Sequence, residues 1–173
     1  MRKWLKIGAF IVALIALVFI IRYQFVSKDS SSPWHLPLSG KVIILDPGHG
    51  GMDGGAVSKS GLLEKDLALS ISLQLRDYLQ EAGALVFMTR EEDKDLADKE
   101  TKRVRHRKAE DLKRRVEFIN TTGGDLFISL HLNAIPSPRW RGAQTFYYMP
   151  MKENEVIAKF IQDELKRSVF SKL

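Results

Sequence analysis

The sequence contains no cysteine, which excludes a disulfide framework and any zinc site built on cysteine. A metal ion in this protein must therefore be held by histidine, aspartate or glutamate. The absence of cysteine is compatible with either side of a membrane. Charged residues make up 28% of the 173 residues, and this proportion is typical of a globular chain with one core.

Only one long run without charge is present, and it lies at the amino terminus. Ile7 to Ile21 carries no charged side chain, follows a basic head that ends in Lys6, and stops at Arg22. The run is short for a spanning helix, but Lys6 and Arg22 can lengthen it by snorkelling. No small-residue cleavage site follows it. We therefore expect residues 1–27 to form an uncleaved signal anchor, with the rest of the chain on the extracytoplasmic side of the membrane.

Residues 28–38 are rich in serine and proline and predict a short linker, after which residues 39–173 predict one domain. In this domain strand and helix patterns alternate. The predicted strands are Lys41–Leu45, Ala84–Thr89, Asp125–Leu130 and Gln144–Tyr148, and the predicted helices are Leu67–Leu79, Ala109–Asn120 and Glu153–Arg167. The polar segment from Arg90 to Arg107 is predicted to be a loop. The order predicts an α/β fold with a mostly parallel central sheet flanked by helices and preceded by a single membrane-anchor helix.

Two histidines follow predicted strands. His49 lies on a glycine-rich loop after the first strand, His131 follows the third, and Glu64 opens the helix that returns from the first. Sites in such folds form at the carboxyl ends of parallel strands, so these three side chains can converge. Two imidazoles and one carboxylate with an open fourth position are a ligand set of catalytic zinc. Topology alone leaves open that Glu64 only caps a helix and that His131 is an ordinary strand-end histidine.

Six motifs, in order, resemble those of the zinc-dependent N-acetylmuramoyl-L-alanine amidases of bacterial cell walls. They are Asp46-Pro-Gly-His49-Gly-Gly, Leu63-Glu64-Lys-Asp66, Met88-Thr-Arg90, Leu112-x-x-Arg115-Val116-x-x-Ile119-Asn120, Asp125-Leu-Phe-Ile-Ser-Leu-His131-Leu-Asn133-Ala134 and Gly142-Ala. The resemblance implies a Zn²⁺ ion held by His49, Glu64 and His131. It also implies hydrolysis of the amide bond between the N-acetylmuramic acid lactyl group and L-alanine of peptidoglycan stem peptides.

Other features resemble the germination-specific members of this family from spore-forming bacteria. They are the basic-headed anchor, Trp34-x-Leu-Pro-Leu-Ser-Gly, the Lys/Arg-rich insertion, and His131-Leu-Asn-Ala-Ile-Pro-Ser with a following Trp140. The resemblance implies a role in spore cortex maturation and germination. Asn133 is a candidate substrate contact, while Arg90 and Arg115 are expected to support the site without binding the metal.

The sequence departs from the family pattern near its carboxyl end. The family's general base is a glutamate on a later buried strand, and nothing after Tyr148 matches it. The acids there are Glu153, Glu155, Asp163 and Glu164, all in a predicted amphipathic helix. We therefore interpret residues 39–173 as an amidase catalytic domain that lacks its C-terminal part and whose catalytic base is unknown.

This departure leaves alternative functions open. A lost general base commonly lowers a rate by about 10²–10⁴-fold. One alternative is a catalytically inactive peptidoglycan-binding or interaction module that keeps the zinc-site scaffold. Another is a membrane-anchored structural protein in which the histidines are incidental.

The segment Lys99–Arg115 is strongly basic, with nine Lys and Arg residues against three acids. Such a segment can attract acidic wall polymer or a partner protein, or it can simply form a solvated loop and helix face. It lacks interleaved aromatic residues and any recognised nucleic-acid motif, so no nucleic-acid partner is expected.

Overall fold

The computed structural model describes residues 2–26, 36–134 and 142–170. Its helices are α1 (Arg2–Val26), α2 (Glu64–Glu81), α3 (Val104–Thr122) and α4 (Lys152–Phe170), and its strands are β1 (Val42–Pro47), β2 (Leu85–Met88) and β3 (Leu126–Leu130). The chain divides into two compact units, Met1–Leu132 and Asn133–Leu173. Most of the predicted linker, Trp34 and Trp140 lie outside the described residues.

Helix α1 is the apolar run at the amino terminus. Its 25 residues correspond to a length of about 37 Å, against about 30 Å for the hydrocarbon core of a bilayer. Its most apolar window, Arg2–Ile20, has a mean hydropathy of 2.2, and none of that window is buried. By length and composition this helix could cross a membrane as an anchor, and a signal sequence at this position would meet the same criterion.

The described sheet has three strands in the order β2-β1-β3, and both pairings are parallel. This confirms the first three predicted strands and the α/β fold with a parallel sheet. Strand β1 is central, and Ile43, Ile44 and Leu45 are at most 3% exposed. Their uninterrupted apolar sequence is the pattern of a strand buried on both faces.

The hydrophobic core lies between one face of this sheet and α2. Ile43 and Leu45 pack with Ala84 and Met88 on that face. The partly buried side chains around this cluster are Leu38, Leu73, Leu75, Leu79, Val86, Leu126 and Ile128. Successive side chains of a strand point to opposite faces, so Asp46 projects to the other side, where it meets Arg115 of α3.

The predicted start of α3 was wrong. The helix begins at Val104, whereas the sequence pattern predicts a loop up to Arg107. Arginine and lysine are good helix formers, so charge alone does not argue for a loop. The Arg107 amide donates to the Arg103 carbonyl, a contact of 2.8 Å at the first turn.

The predicted fourth strand, Gln144–Tyr148, is also wrong. Residues 143–148 form neither strand nor helix, and the side chains of Phe146 and Tyr148 are largely exposed. Backbone groups of Ala143 and Thr145 bind the Gln162 side chain of α4 and not a neighbouring strand. The Thr145 amide donates to Gln162 Oε1 at 2.7 Å, and Gln162 Nε2 donates to the Ala143 carbonyl at 3.1 Å. Helix α4 itself lies where its apolar spacing predicted it.

Candidate metal centre

The candidate centre lies where β1 and β3 end and α2 begins. The parallel register pairs Pro47 with Leu130, so His49 and His131 leave the sheet side by side. Glu64 is the first residue of α2. The structure thus brings together the three residues that sequence topology predicted to converge.

The three side chains are within reach of a single ion. Glu64 Oε1 lies 3.2 Å from His49 Nε2 and 3.1 Å from His131 Nδ1. One ligand atom from each residue can be chosen so that all lie within 4.8 Å of one another. The two imidazole rings are edge to face, with centroids 4.9 Å apart and planes at 81°. Ligand atoms of a tetrahedral zinc site with bonds of about 2.1 Å are about 3.4 Å apart, so the spacing fits.

Glu64 is held as a buried anion. Its side chain is 3% exposed, its Oε2 accepts from the Ala56 amide at 2.9 Å, and its Oε1 accepts from the Leu132 amide at 2.8 Å. Burial would raise the pKa of Glu64, but these two amides, together with His49 and His131, outweigh burial and lower the pKa. The N-cap of α2 is Leu63, which makes no side-chain capping bond. The carboxylate is therefore directed at the centre and does not merely cap its helix.

His49 adopts an unusual backbone conformation. Its φ of 61° lies in the left-handed region of backbone conformation, which residues other than glycine rarely adopt. Its Nδ1 lies 3.0 Å from Asp53 Oδ2. Because an ionised carboxylate only accepts hydrogen bonds, Nδ1 carries the hydrogen, and the lone pair of Nε2 then faces Glu64 Oε1. Two facing lone pairs require a proton or a cation between them, so the donor set fits a metal ion.

Two glycines leave room for these side chains. A Cβ on Gly48 would lie 2.6 Å from His131 Nδ1. A Cβ on Gly55, which has a φ of 67°, would lie 2.6 Å from His49 Cδ2 and 2.8 Å from Glu64 Cβ. Any other residue at either position would displace a ring or the carboxylate.

Arg115 fixes the loop that carries His49. Its Nη2 donates to the His49 carbonyl at 2.6 Å, and its Nη1 donates to the Pro47 carbonyl at 2.9 Å. The same guanidinium forms ion pairs with Asp46 at 2.7 Å and Asp111 at 2.9 Å. Arg115 thus ties α3 to the end of β1 and binds backbone, in line with the predicted supporting role.

Arg90 holds the same loop from the end of β2. It is 1% exposed and donates to the carbonyls of Pro47 at 3.0 Å, Gly48 at 2.9 Å and Lys65 at 2.8 Å. Burial and the nearby Arg115 lower the pKa of Arg90. These bonds join β1 to the first turn of α2, next to Glu64.

Asp46 anchors the network from within β1. Thr89 Oγ1 donates to Oδ1 and Ser129 Oγ donates to Oδ2, each at 2.7 Å. Burial would raise the pKa of Asp46, but the Thr89 hydroxyl, Arg115 and Ser129 outweigh burial and lower it. This carboxylate therefore links β1 to β3 and to the residue that directly follows β2.

Asp53 is a site residue that the sequence reasoning missed. It contacts His49 Nδ1, and it also pairs with Lys108 of α3 at 2.8 Å. Burial would raise the pKa of Asp53, but hydrogen bonds from Lys108, His49 and Gly55 lower the pKa to about 2. The available signal was an acid four residues after a histidine on a glycine-rich loop, which is weak without the geometry.

The remaining candidates lie elsewhere. His106 is exposed on α3, and Asn133 is exposed at the start of the second compact unit. The acids that follow Tyr148 all lie on α4, as predicted: Glu153, Glu155, Asp163 and Glu164. Trp34 and Trp140 lie outside the described residues, so the structure does not test the predictions that involve them.

Comparisons with known proteins all identify the same family. Residues 43–172 match the family model described as N-acetylmuramoyl-L-alanine amidase. The chain is 59% identical over 169 residues to the germination-specific N-acetylmuramoyl-L-alanine amidase of Bacillus subtilis strain 168, an alignment that covers 98% of this chain and 71% of that protein. It is 30% identical to the amidase AmiA of Escherichia coli K12, covering 96% of this chain and 54% of that protein.

A solved structure supports the same relationship. The CwlD amidase from Clostridioides difficile, in complex with the GerS lipoprotein, matches with a TM-score of 0.71 and 44% identity, covering 73% of this chain and 66% of that one. The chain therefore spans between about half and about seven tenths of the length of these relatives. On the match to residues 43–172 and the 59% identity, the chain belongs to the N-acetylmuramoyl-L-alanine amidase family of hydrolases.

Proposed function

We propose that this protein is a zinc-dependent hydrolase that cleaves the amide bond between the lactyl group of N-acetylmuramic acid and L-alanine of peptidoglycan stem peptides. The observation that carries the proposal is the convergence of His49, Glu64 and His131 at the carboxyl edge of the sheet. Zinc dependence is typical of the family, and two imidazoles with one carboxylate form a catalytic zinc ligand set. The three residues are therefore proposed as the metal ligands.

A zinc ion held there would polarise the scissile carbonyl and lower the pKa of a bound water. The protein residues supply the frame for this chemistry. Glu64, kept ionised by amide hydrogen bonds, offers negative charge, and His49 offers a ring nitrogen turned toward Glu64. His131 is 40% exposed, so the centre opens to solvent on its side, where a polymeric substrate can approach.

The biological setting is proposed from likeness to relatives. The Bacillus subtilis relative is named as germination-specific, and its alignment covers 98% of this chain. We therefore propose spore cortex peptidoglycan as the substrate, in cortex maturation and germination. Asn133, two residues after His131, is proposed as a substrate contact because its exposed amide can donate and accept hydrogen bonds.

Helix α1 is proposed to hold the protein at the membrane. Its apolar window is long enough to span a bilayer, and peptidoglycan lies outside the cytoplasmic membrane. On this proposal residues 1–27 form a signal anchor, residues 28–38 a tether, and the catalytic part lies on the extracytoplasmic side.

A second candidate function is an inactive peptidoglycan-binding or interaction module with an intact metal centre. The observation in its favour is that the acids after Tyr148 all lie on α4 and none of them lies on a strand. A general base from a buried strand, as the family uses it, is therefore not among these residues. The two functions differ in turnover, whereas both predict metal binding.

Release of stem peptide from purified peptidoglycan distinguishes the two functions. The full chain in detergent is assayed with zinc, with chelator, and as the variants His49→Ala and His106→Ala. Hydrolysis that needs zinc, is lost in His49→Ala and persists in His106→Ala supports the amidase. A folded, zinc-loaded protein that binds peptidoglycan without releasing peptide supports the inactive module and contradicts the amidase proposal for this chain.

A further inference from the structure

The side chain of Asp53 is held in a fixed position by a tight turn. The amide of Gly50 donates to the Asp53 carbonyl at 3.0 Å, and the Asp53 amide donates back to the Gly50 carbonyl at 3.1 Å. This reciprocal pair closes the loop directly after His49. The turn thereby brings the Asp53 carboxylate back to the imidazole, which lies four residues earlier in the sequence.

Both carboxylate oxygens of Asp53 are engaged. Oδ2 lies 3.0 Å from His49 Nδ1 and 2.8 Å from Lys108 Nζ, and Oδ1 accepts from the Gly55 amide at 3.3 Å. The Asp53 side chain is 27% exposed and that of His49 is 16% exposed. A carboxylate with both oxygens bound and partly withdrawn from water has little freedom to rotate, so it presents a constant acceptor to the ring.

This acceptor determines which nitrogen of His49 is free. With the hydrogen on Nδ1 directed at Asp53, Nε2 presents its lone pair toward Glu64 Oε1, 3.2 Å away. Without an acceptor at Nδ1, the ring could carry its hydrogen on Nε2, where it would be donated to Glu64. In that arrangement the nitrogen is unavailable to a metal ion, and one lone pair of Glu64 is occupied as well.

We propose that Asp53 is a positioning residue that fixes the tautomer and ring orientation of His49, so that His49 binds the metal ion through Nε2. The inference deepens the proposed function and rests on it, because it takes His49 as a metal ligand. Partners of this kind raise the affinity of a metal site by holding ligands in their binding form before the ion arrives. Asp53 is not one of the three residues that could hold the ion.

A matched control residue lies in the same group of loops. Asp93 accepts from the Gly51 amide at 2.8 Å and from Lys65 Nζ at 2.6 Å. Like Asp53, it is an acid that binds a loop amide and a lysine, but none of the contacts described for it involves a histidine. Asp93→Ala therefore removes a comparable loop contact and leaves His49 untouched.

Two measurements on the full chain in detergent test the inference. The first is zinc affinity by competition with a chromophoric chelator, for the wild type, Asp53→Ala, Asp53→Asn and Asp93→Ala. We expect zinc affinity to fall about 10–100-fold in Asp53→Ala, the range typical for loss of such a partner, and to change by less than about threefold in Asp93→Ala. Asp53→Asn keeps an oxygen acceptor without the charge, so its loss is expected to be smaller than that of Asp53→Ala.

The second measurement is the ¹⁵N chemical shifts of the His49 ring in metal-free protein. We expect the Nδ1–H form to dominate in the wild type and in Asp93→Ala, and the Nε2–H form to gain in Asp53→Ala. A folded Asp53→Ala with wild-type affinity and the wild-type tautomer would overturn the inference. If that variant does not fold, Asp53→Leu, which also lacks an acceptor for Nδ1, decides by the same two readouts. A wild type that binds no zinc would contradict the proposed function. In that case the ¹⁵N shifts of His49 would still show whether Asp53 fixes its tautomer.

Discussion

The polar contacts around the candidate metal centre and those along α4 are built in opposite ways. At the centre, Arg115 pairs with Asp46 across 69 residues of sequence, and both side chains are at most 11% exposed. On α4, Lys159 pairs with Glu155 and Arg167 pairs with Glu164, three or four residues apart and at least 42% exposed. The first kind of contact exists only when the sheet and α3 have assembled, whereas the second needs only a helix.

The difference determines where stability and function depend on single side chains. Buried charges that lose a partner are left unsatisfied in a medium that solvates them poorly, whereas an exposed charge returns to water. The backbone of the candidate metal centre is bound to the buried network through the carbonyls of Pro47, Gly48 and His49. Variants in the network should therefore disturb both folding and metal binding, and variants on α4 neither.

The largest effect is expected for Arg115→Met. This change leaves Asp46 and Asp111 without their guanidinium partner and frees the His49 carbonyl, so we expect the free energy of unfolding to fall by about 3–5 kcal/mol. Arg167→Met on α4 is the matched control and should cost about 0.5 kcal/mol or less. Urea denaturation followed by circular dichroism measures both. Equal losses of unfolding free energy in the two variants would contradict the proposed difference between the buried network and the exposed ion pairs of α4.

Alanine at two left-handed glycines separates backbone strain from crowding of the centre. Gly55 and Gly61 have φ values of 67° and 86°, but only at Gly55 would a Cβ meet His49 and Glu64. Both variants should lose about 1–2 kcal/mol from the left-handed conformation. Gly55→Ala should lose more stability than that and should also bind zinc far more weakly. Zinc titration that finds the two variants alike would contradict the predicted crowding.

Acid should weaken the buried network. The pKa values of Asp46 and Glu64 are lowered in the folded protein, so the stabilisation they provide is fully present above their ordinary pKa near 4. It is lost as the pH falls through the lowered pKa values, because the unfolded chain then binds more protons. Urea midpoints measured with chelator present should therefore drop as the pH falls below about 4. A midpoint that does not change over this range would show that these carboxylates contribute no stability.

The smallest effect is expected for Lys159→Ala on α4. Its ion pair with Glu155 is exposed, and its contacts are local to the helix. We expect no measurable change in the urea midpoint or in zinc affinity. A clear loss of either would contradict the expectation that the exposed ion pairs of α4 contribute little.

The same contrast explains what the sequence could predict. β1 and β3 are short apolar runs, and α2 and α4 carry apolar residues at helical spacing, so local pattern was sufficient for their existence. The convergence of His49, Glu64 and His131 followed from topology, because parallel strands end at one edge. Family motifs then indicated which of several polar residues at that edge to consider.

Local sequence patterns do not identify side chains that pair over long distances in the sequence. Nothing in the local sequence links Asp46 with Arg115, since that pairing depends on how α3 packs on the sheet. The contact between Asp53 and His49 depends on a turn whose closure is visible only in the backbone hydrogen bonds. The prediction of a fourth strand was wrong at a segment that also has a partner distant in sequence. Gln162 of α4 binds the Thr145 amide, which the local pattern assigns to a sheet.

Zinc content of the purified full chain tests the central claim most directly, namely that His49, Glu64 and His131 form one metal site. We expect about one zinc per chain in the wild type and in His106→Ala, whose histidine is exposed on α3. We expect essentially none in His49→Ala and in His131→Ala, each measured as folded protein after dialysis. Equal zinc content in all four proteins, whether one ion per chain or none, would contradict the claim.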